Sequence, residues 1–572
     1  MKLNKRQTSS ISFVLTGGLV ILNIMRAAPS LTSNTQRQLS SAEQAGASQV
    51  KAETVRDVTT VLSSKEMEGR GMAQPGGERA SKYVAEKFAK AGLKPGGNGS
   101  SFLQQIRVRV QTLTPDTQFK VGNNAFKFKQ DFAVAQPVGT ELKDIAGKIV
   151  FVAYGVVSPE LQRDDLAGID VSGKIVMVLS GTPKGVTAKA WEKESAQRTV
   201  FGRLINRGAA GFIVIYDGNP SRFPIAAAAV SNRLVSLAEP IASASLPARW
   251  SLELLADKFT VPTSVLISES AAENILADVG ETFSQIKQQA ETGRFVSHDL
   301  NVTASISPRV KLETGSTGNV VGIIEGSDPK LKSEALVYSA HYDAFGIDTE
   351  GTIYPGASDN ALGVGKLVAV AEVFAKLTTR PHRSIIFIAT TGEEYGDLGA
   401  EYWLQHPTWP IDKVAADINF DGSVLEVWGK LAFLLDFGLD LSDMNDVVSS
   451  VASALDIEIY PDPAPDEGFF YRSDQYAFVK KGIPSIFLMG GPAMNPNVLS
   501  RRATEWQATR YHMPTDVIGS DWNWEGAQML AAFALVTGMR VANQEKMPSW
   551  KSNSPYQRAS KSAKLDWRYR RS

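Results

Sequence analysis

The distribution of apolar and polar positions predicts three short buried strands in the middle of the chain. The runs 335–340, 384–389 and 415–420 are largely apolar, and each is followed closely by acidic residues or histidine. Continuous apolar runs of this length are typical of strands that are buried on both faces. In an open α/β sheet, ligands gather at the carboxyl ends of the strands. We therefore expect the polar residues after the three runs to meet in one crevice.

The flanking sequence predicts further elements around this central stretch. A helical period within 55–93 is ended by glycine and proline, and 102–116 alternates in the manner of a strand with one solvated face. The segment 148–268 contains several strand-like runs with a helix between them and no spacing typical of metal ligands. We interpret it as an inserted domain. Sheet-forming sequence resumes at 319–325, so the predicted fold class is α/β.

Length and composition favour a globular protein with more than one unit. A chain of 572 residues exceeds what one hydrophobic core usually organises. With 43% hydrophobic and 21% charged residues the composition is ordinary, and a net charge of zero gives no reason to expect a nucleic-acid partner. There is no cysteine, which excludes thiolate ligands and cysteine nucleophiles and leaves five histidines as nitrogen ligands.

Both termini differ in composition from the rest of the chain. Basic residues precede a mostly apolar run at 11–25, which predicts a signal peptide at 1–28 and an exported protein, periplasmic or secreted. The run is short for a membrane span, so the mature protein is predicted to have none, and an uncleaved anchor is the alternative. We expect 29–50 to be disordered. The tail 546–572 has eight Lys or Arg and one Asp, which predicts a solvated arm or, alternatively, a contact with an anionic surface.

Two acidic positions near the first buried run are candidates for metal chemistry. In an extended chain His341 and Asp343 point the same way, so Asp343 can lie behind the imidazole and fix its tautomer, as carboxylates do for metal-bound histidines. A histidine satisfied at a strand end is the alternative. Asp359 lies in a glycine-containing loop before a predicted helix, where it is either a ligand or a simple N-cap.

The later runs supply the other candidates. Glu393 and Glu394 are adjacent and would repel one another unless a cation holds them. One could bind a metal while its neighbour acts as a general base, although pairs of surface glutamates are also common. Asp421 and His512 complete a set of two histidines and three carboxylates. That mixture suits zinc, with cobalt or manganese as substitutes.

The order of these residues resembles the co-catalytic zinc exopeptidase family, which includes bacterial leucyl aminopeptidases and glutamate carboxypeptidases. Its motifs, H-x-D, D-N-A in a glycine-rich loop, G-E-E, a strand-terminal D and a late H-x-x-x-D, all occur here. The segment 148–268 resembles a protease-associated domain. The resemblance implies a three-layer α/β domain with a central mixed sheet, formed by 51–147 and 269–545, and a smaller β-rich insert at 148–268.

The resemblance also implies a role for each candidate residue. Glu393 would be the general base and Asp343 would orient the metal-bound imidazole. Tyr511 would polarise the scissile carbonyl, with core packing as its alternative. The five implied ligands of two zinc ions are His341, Asp359, Glu394, Asp421 and His512, with Asp359 bridging the ions.

The predicted activity is that of an aminopeptidase with a peptide substrate. Two metals would lower the pKa of a shared water, and Glu393 would accept its proton. The alternatives are a glutamate-carboxypeptidase type of enzyme with a cationic clamp such as Arg472, a glutaminyl cyclase with one zinc, and a non-catalytic receptor-like protein. Gln475 departs from the family motif F-Y-R-S-D-H, in which histidine is usual at this last position. This departure puts nearby substrate contacts in doubt. The oligomeric state is not predicted.

Overall fold

The computed structural model describes most of the chain outside its termini and parts of the predicted insert. The predicted signal peptide at 1–28 and most of the basic tail lie outside the described residues. The described residues are 38–135, 142–181, 183, 186, 197–216, 223, 233–238, 262–293, 295–462, 469–552, 554 and 556.

The α-helices are α1 (Ser41–Ala47), α2 (Ala52–Leu62), α3 (Pro75–Ala91), α4 (Gln197–Asn206), α5 (Glu269–Ala277), α6 (Phe283–Glu291), α7 (Leu362–Lys376), α8 (Leu398–Gln405), α9 (Met444–Ala454), α10 (Gln475–Lys480), α11 (Pro496–Thr509) and α12 (Glu525–Asn543). The strands are β1 (Lys94–Pro95), β2 (Leu103–Leu113), β3 (Gln118–Val121), β4 (Asn124–Phe126), β5 (Phe132–Ala135), β6 (Ile145–Phe151), β7 (Val157–Ser158), β8 (Arg163–Asp164), β9 (Ile175–Leu179), β10 (Gly211–Ile215), β11 (Arg233–Leu237), β12 (Ser264–Ile267), β13 (His298–Ser307), β14 (Val310–Ile324), β15 (Ala335–His341), β16 (Gly346–Ile347), β17 (Ile353–Tyr354), β18 (Ser384–Thr390), β19 (Val414–Asn419), β20 (Leu431–Asp436), β21 (Glu458–Pro461), β22 (Ser485–Phe487) and β23 (Gly490–Pro492).

The chain divides into two compact units, and the smaller one contains most of the predicted insert, whose described residues 237 and 238 belong to the larger unit. It comprises described residues within 109–236 and 245–314, with a sheet in the order β4, β3, β13, β6, β9, β10, β12, β5. Strands on both sides of 148–268 complete this sheet, because β13 pairs with β3 and β6. The unit is therefore wider than the predicted insert. Its identity as a protease-associated domain stays a prediction.

The larger unit is built on a mixed sheet in the order β2, β14, β18, β15, β19, β22. Strand β15 is parallel to β18 and β19, and β19 is parallel to β22. Strand β14 is antiparallel to β18. The three predicted buried strands are β15, β18 and β19. The predicted α/β fold with a central mixed sheet is confirmed.

Both faces of this sheet are covered by helices, which explains why its strands are continuously apolar. Along β15 the side chains alternate with the period of two that a strand imposes. Tyr338 packs with Phe374 of α7 on one face, and Val337 packs with Trp403 of α8 and Phe478 of α10 on the other. The three layers predicted from the sequence follow from this double burial.

The predicted disorder of 29–50 is wrong for α1, which forms an ordered helix. Ser40 and Glu43 make reciprocal hydrogen bonds with each other's backbone amides, the arrangement known as a capping box. In addition, Arg540 Nε donates to Glu43 Oε1 at 2.7 Å. The polar composition of this segment suits a surface helix whose ends are capped, and the stabilising partner lies too far along the chain to be seen in a local pattern.

Candidate metal centre

Three neighbouring strands bring the candidate residues to one edge of the sheet. Strand β15 ends at His341 and lies between β18 and β19, with which it is parallel. The 3-10 turn Glu393–Tyr395 follows β18, and Asp421 lies two residues beyond the end of β19. Because parallel strands end at the same edge, these side chains meet there, as the sequence predicts.

A turn before α7 presents Asp359 to the same edge. The turn Ala357–Ala361 begins after Gly356, which has a left-handed φ of 53°. A Cβ at Gly356 would lie 2.3 Å from the carbonyl oxygen of Asp359, so only glycine fits there. The backbone amides of Ser358 and Asp359 donate to the carboxylate of Asp516 at 3.2 Å. Asp516, the last residue of the late H-x-x-x-D motif, thus fixes the turn.

One group of ligand-type atoms surrounds the imidazole of His341, whose side chain is 1% exposed. Its Nε2 lies 3.3 Å from Asp359 Oδ1, 3.4 Å from Asp421 Oδ1 and 3.8 Å from Glu393 Oε2. The Nε2 atom is buried and has no hydrogen-bond partner among the described residues. Such an atom is costly unless a ligand satisfies it.

The second group lies on the other side of Asp359. The Nε2 of His512 is 3.1 Å from Asp359 Oδ2 and 3.3 Å from Glu394 Oε2. Asp359 therefore turns one oxygen toward His341 and the other toward His512. This arrangement is the one that a carboxylate bridging two cations requires.

The spacing within both groups fits a tetrahedral zinc ion. Zinc ligands lie about 2.0–2.2 Å from the ion, so two ligands of one ion are about 3.3–3.6 Å apart. The nitrogen–oxygen distances of 3.1–3.8 Å span this value. Each group also offers one histidine and at least two carboxylates, a donor set that suits zinc. The residues present therefore fit two metal ions.

The electrostatics of the centre also favour bound cations. Burial raises the pKa of Glu394 to about 8, and the nearby carboxylate of Asp359 adds to the rise. Burial acts to lower the pKa of His512, but Glu394 and Asp359 outweigh it and raise that pKa to about 9. Negative charge is thus in excess away from water, and divalent cations would neutralise it.

Asp343 links the first histidine to the glutamate pair. Its Oδ1 lies 3.6 Å from His341 Nδ1 and accepts a hydrogen bond from the backbone amide of Glu393 at 3.3 Å. The backbone carbonyl of Asp343 is the hydrogen-bond partner of His341 Nδ1 at 3.3 Å, and an acceptor on Nδ1 favours the tautomer that leaves Nε2 free for a metal. The position predicted for Asp343 agrees with its proposed role, which stays a prediction.

The comparison with known families is consistent with this geometry. Residues 319–537 match the model of peptidase family M28. This segment forms an M28 peptidase domain. The predicted resemblance to co-catalytic zinc exopeptidases is confirmed, and the predicted enzyme class, a metallopeptidase, is the class of the matched family. The M28 domain contains every implied metal ligand.

Solved structures share the fold of the chain. The aminopeptidase from Aneurinibacillus sp. strain AM-1 superposes with a TM-score of 0.53 at 16% identity, over 88% of this chain and 96% of that one. A zinc aminopeptidase from Bacillus subtilis gives a TM-score of 0.51 at 15% identity, over 85% and 94%. At this identity the likeness establishes the fold alone.

Curated relatives in fungi correct the predicted location. The vacuolar membrane protease of Meyerozyma guilliermondii is 33% identical over 130 residues, which is 22% of this chain and 12% of that protein. That of Clavispora lusitaniae is 35% identical over 107 residues, 19% of this chain and 9% of that protein. The chain thus matches about a tenth of these relatives' length.

The prediction of a periplasmic or secreted protein is wrong, because these relatives are named for a vacuolar membrane. Basic residues followed by a short apolar run indicate only that a segment can enter a membrane, so they do not specify the compartment. Among the helices of the described residues, none is both long and apolar enough to cross a bilayer.

Tyr511 lies beside the second group of the M28 domain. Its ring stacks on the imidazole of His512, with centroids 3.8 Å apart and planes inclined by 23°. Burial raises the pKa of Tyr511 well above its usual range, and the carboxylate of Asp359 adds to the rise. The hydroxyl therefore stays protonated at neutral pH. Its role toward a substrate carbonyl stays a prediction.

Gln475 replaces the expected histidine without leaving polar atoms unsatisfied. Its Oε1 accepts from Asn419 Nδ2 at 2.8 Å, and its Nε2 donates to the carbonyls of Phe470 and Arg472. Gln475 therefore joins β19 to the loop that carries Arg472. The departure from the family text affects this loop, and Gln475 lies in neither group of metal-ligand atoms.

Arg70 is the residue at this centre that the sequence analysis missed. Its side chain is completely buried and hydrogen-bonds to the backbone on both sides of the metal-ligand positions. The signal was an arginine between two glycines, Gly69 and Gly71, inside the segment 55–93, for which only a helical period was predicted. Periodicity could not reveal it, because three of its four carbonyl partners lie more than 270 residues away.

Proposed function

We propose that the chain is a dinuclear zinc exopeptidase that removes residues from the amino terminus of peptides. The observation that carries the proposal is the double-sided placement of Asp359. Its two carboxylate oxygens face two different histidines, and each histidine has at least one further carboxylate within 3.4 Å. A single metal site would not require this symmetry.

The proposed ligands divide between two ions that share one carboxylate. One ion would be held by His341, Asp359 and Asp421, and the other by Asp359, Glu394 and His512. When bound, two such ions lower the pKa of a water and stabilise the charge that develops on the scissile carbonyl oxygen.

Glu393 is proposed as the general base. It is the more exposed of the two adjacent glutamates, with a side chain 17% exposed against 3% for Glu394. Its carboxylate can therefore reach a water on the substrate side while Glu394 binds metal. Glu393 would take a proton from the attacking water and deliver it to the leaving amine. The hydrogen bond from its amide to Asp343 holds the turn in place.

The acidic surroundings favour an aminopeptidase over a carboxypeptidase. A free α-amine is a cation, and it would bind at an edge of the sheet where carboxylates are in excess. Solved structures with the same fold include proteins described as aminopeptidases. A carboxypeptidase would need a cation for the substrate carboxylate, and Arg472 is the candidate for that alternative.

Paired substrates and chelation test the proposal. Purified protein is assayed on leucine amide and on N-acetyl-leucine amide, and on a dipeptide with a free or an amidated carboxyl terminus. We expect hydrolysis only where the α-amine is free, loss after chelator treatment, and recovery with zinc. Bound zinc should approach two ions per chain. Cleavage of N-blocked dipeptides would indicate a carboxypeptidase, and a chain that binds no zinc would contradict the proposal.

A further inference from the structure

Arg70 is a buried cation beneath the metal centre. It ends the 3-10 segment Lys65–Arg70, where the backbone of Glu68, Gly69 and Arg70 is left-handed with φ values of 48°, 64° and 52°. The side chain is 0% exposed. A guanidinium group in such a place is costly unless its N–H groups are hydrogen-bonded.

Four of the five N–H groups of this guanidinium are hydrogen-bonded in the described structure, all to backbone carbonyls. Nη1 donates to Leu62 at 2.7 Å and to Pro355 at 2.6 Å. Nη2 donates to Gly356 at 2.8 Å, and Nε donates to Tyr342 at 2.5 Å. Arg70 thus joins the end of α2 to two separate segments of the M28 domain.

Both of those segments carry proposed metal ligands. Tyr342 lies between His341 and Asp343, and Gly356 begins the turn that presents Asp359. We propose that Arg70 is a positioning residue that sets the distance between the His341 strand end and the Asp359 turn, and so determines zinc affinity. This inference rests on the proposed dinuclear function.

The positive charge of Arg70 also favours its proposed positioning role. Burial lowers its pKa to about 10, while Asp343 and Asp516 act to raise it, so the group is cationic at neutral pH. Asp343 is the residue predicted to orient His341, and Asp516 fixes the Asp359 turn. Lysine would keep the charge but could not reproduce the planar set of donors. Arg70→Lys therefore separates geometry from charge.

The same domain offers a matched control at the other end of the sheet. Arg383 is also 0% exposed and precedes β18. It donates to Glu334 Oε2 at 2.8 Å and to the carbonyl of Val541 at 3.1 Å. Its partners lie away from every proposed ligand. Arg383→Lys should disturb the fold to a similar degree without moving the metal centre.

The experiment compares zinc binding in the two full-length variants and in wild type. Zinc dissociation constants are measured by competition with a chromophoric chelator, and cobalt-substituted protein is examined by its visible absorption spectrum. We expect Arg70→Lys to weaken zinc binding about 10- to 100-fold, as loss of a group that orients ligands does. Its cobalt spectrum should change as well. Arg383→Lys should keep both the affinity and the spectrum of wild type.

The outcomes distinguish this inference from the proposed function. Wild-type affinity and spectrum in Arg70→Lys, with two zinc ions bound, would overturn the positioning role and leave the peptidase proposal intact. A wild type without zinc would overturn both. If Arg70→Lys is unfolded without metal, refolding is titrated with zinc. The inference then requires at least about tenfold more zinc for Arg70→Lys than for Arg383→Lys, and equal requirements would contradict it.

Discussion

The two ends of strands β15 and β18 are both polar, but their polar groups are satisfied in different ways. At the amino-terminal end, Arg383 pairs with Glu334 and donates to carbonyls near the end of α12. At the carboxyl-terminal end, His341 Nε2 and Asp343 Oδ2 are buried without a hydrogen-bond partner in the described part of the chain. At the amino-terminal end the charged groups satisfy one another, whereas at the carboxyl-terminal end ligand-type atoms have no hydrogen-bond partner among the described residues.

This difference indicates where chemistry can take place in the sheet. A buried polar group is normally hydrogen-bonded, so a cluster of buried unsatisfied atoms requires an explanation such as an ion or a catalytic role. The amino-terminal end needs no such explanation, because Arg383 and Glu334 pair with each other there. At the carboxyl-terminal end Arg70 satisfies only backbone carbonyls, and the excess of carboxylates remains for cations.

The largest effect, on kcat, is expected from Glu393→Gln at the carboxyl-terminal end of the strands. The substitution keeps the size of the side chain but removes the proposed base, so kcat should fall about 10²- to 10⁴-fold. Zinc content should stay near that of wild type, because Glu393 is not among the proposed ligands. Metal analysis and steady-state kinetics measure both quantities. Glu325→Gln, at an exposed ion pair with Lys94, is the control. Loss of zinc in Glu393→Gln would show that this residue is a ligand instead.

Arg383→Met should destabilise the fold by removing the buried ion pair at the amino-terminal end of the strands. Removing one partner of a buried ion pair typically costs about 3–5 kcal/mol, and the lower figure applies because Glu334 is 19% exposed. Urea unfolding of the chelated protein should therefore show a loss of about 3 kcal/mol. Zinc stoichiometry of the folded fraction should not change. A loss of zinc without a loss of stability would contradict the separation of the two ends.

Asp417 lies in the middle of the sheet, between the amino-terminal and carboxyl-terminal ends of its strands. It accepts hydrogen bonds from Ser339 and Ser485, and burial raises its pKa to about 7. Because the folded-state pKa lies above the unfolded value, ionisation of this carboxyl destabilises the fold increasingly between about pH 4 and pH 7. The stability of Asp417→Asn relative to wild type should therefore be higher at pH 8 than at pH 5 by about 3 kcal/mol. Equal differences at both pH values would contradict a buried titrating group.

Gln475→His should give the smallest effect. Histidine can also donate and accept hydrogen bonds at this position, so it can replace part of the contacts that Gln475 makes. We expect a change in stability below about 1 kcal/mol and kinetics within a few-fold of wild type. Gln475→Leu is the matched variant, and it would leave Asn419 Nδ2 and two carbonyls short of a partner at a cost of about 1–3 kcal/mol. Thermal unfolding distinguishes the two. Equal losses would show that the site depends on shape alone.

The sequence alone determined the sheet and the set of residues at its edge. Continuous apolar runs identified β15, β18 and β19, because burial on both faces leaves no polar position to interrupt them. The polar residues after those runs, together with Asp359 and His512, were identified by residue type and order. Carboxylates and imidazoles are the ligands that zinc selects, so their identity was informative before any distance was known.

Only the tertiary structure decided how those residues share the site and what holds them. The two-sided position of Asp359 and the deep burial of Arg70 depend on contacts between segments separated by more than 150 residues. The order of α1 and the extent of the smaller unit depend on long-range contacts for the same reason. A local pattern records which face of an element is apolar. It does not record which distant carbonyl or carboxylate a side chain will reach, because that is fixed when the chain closes on itself.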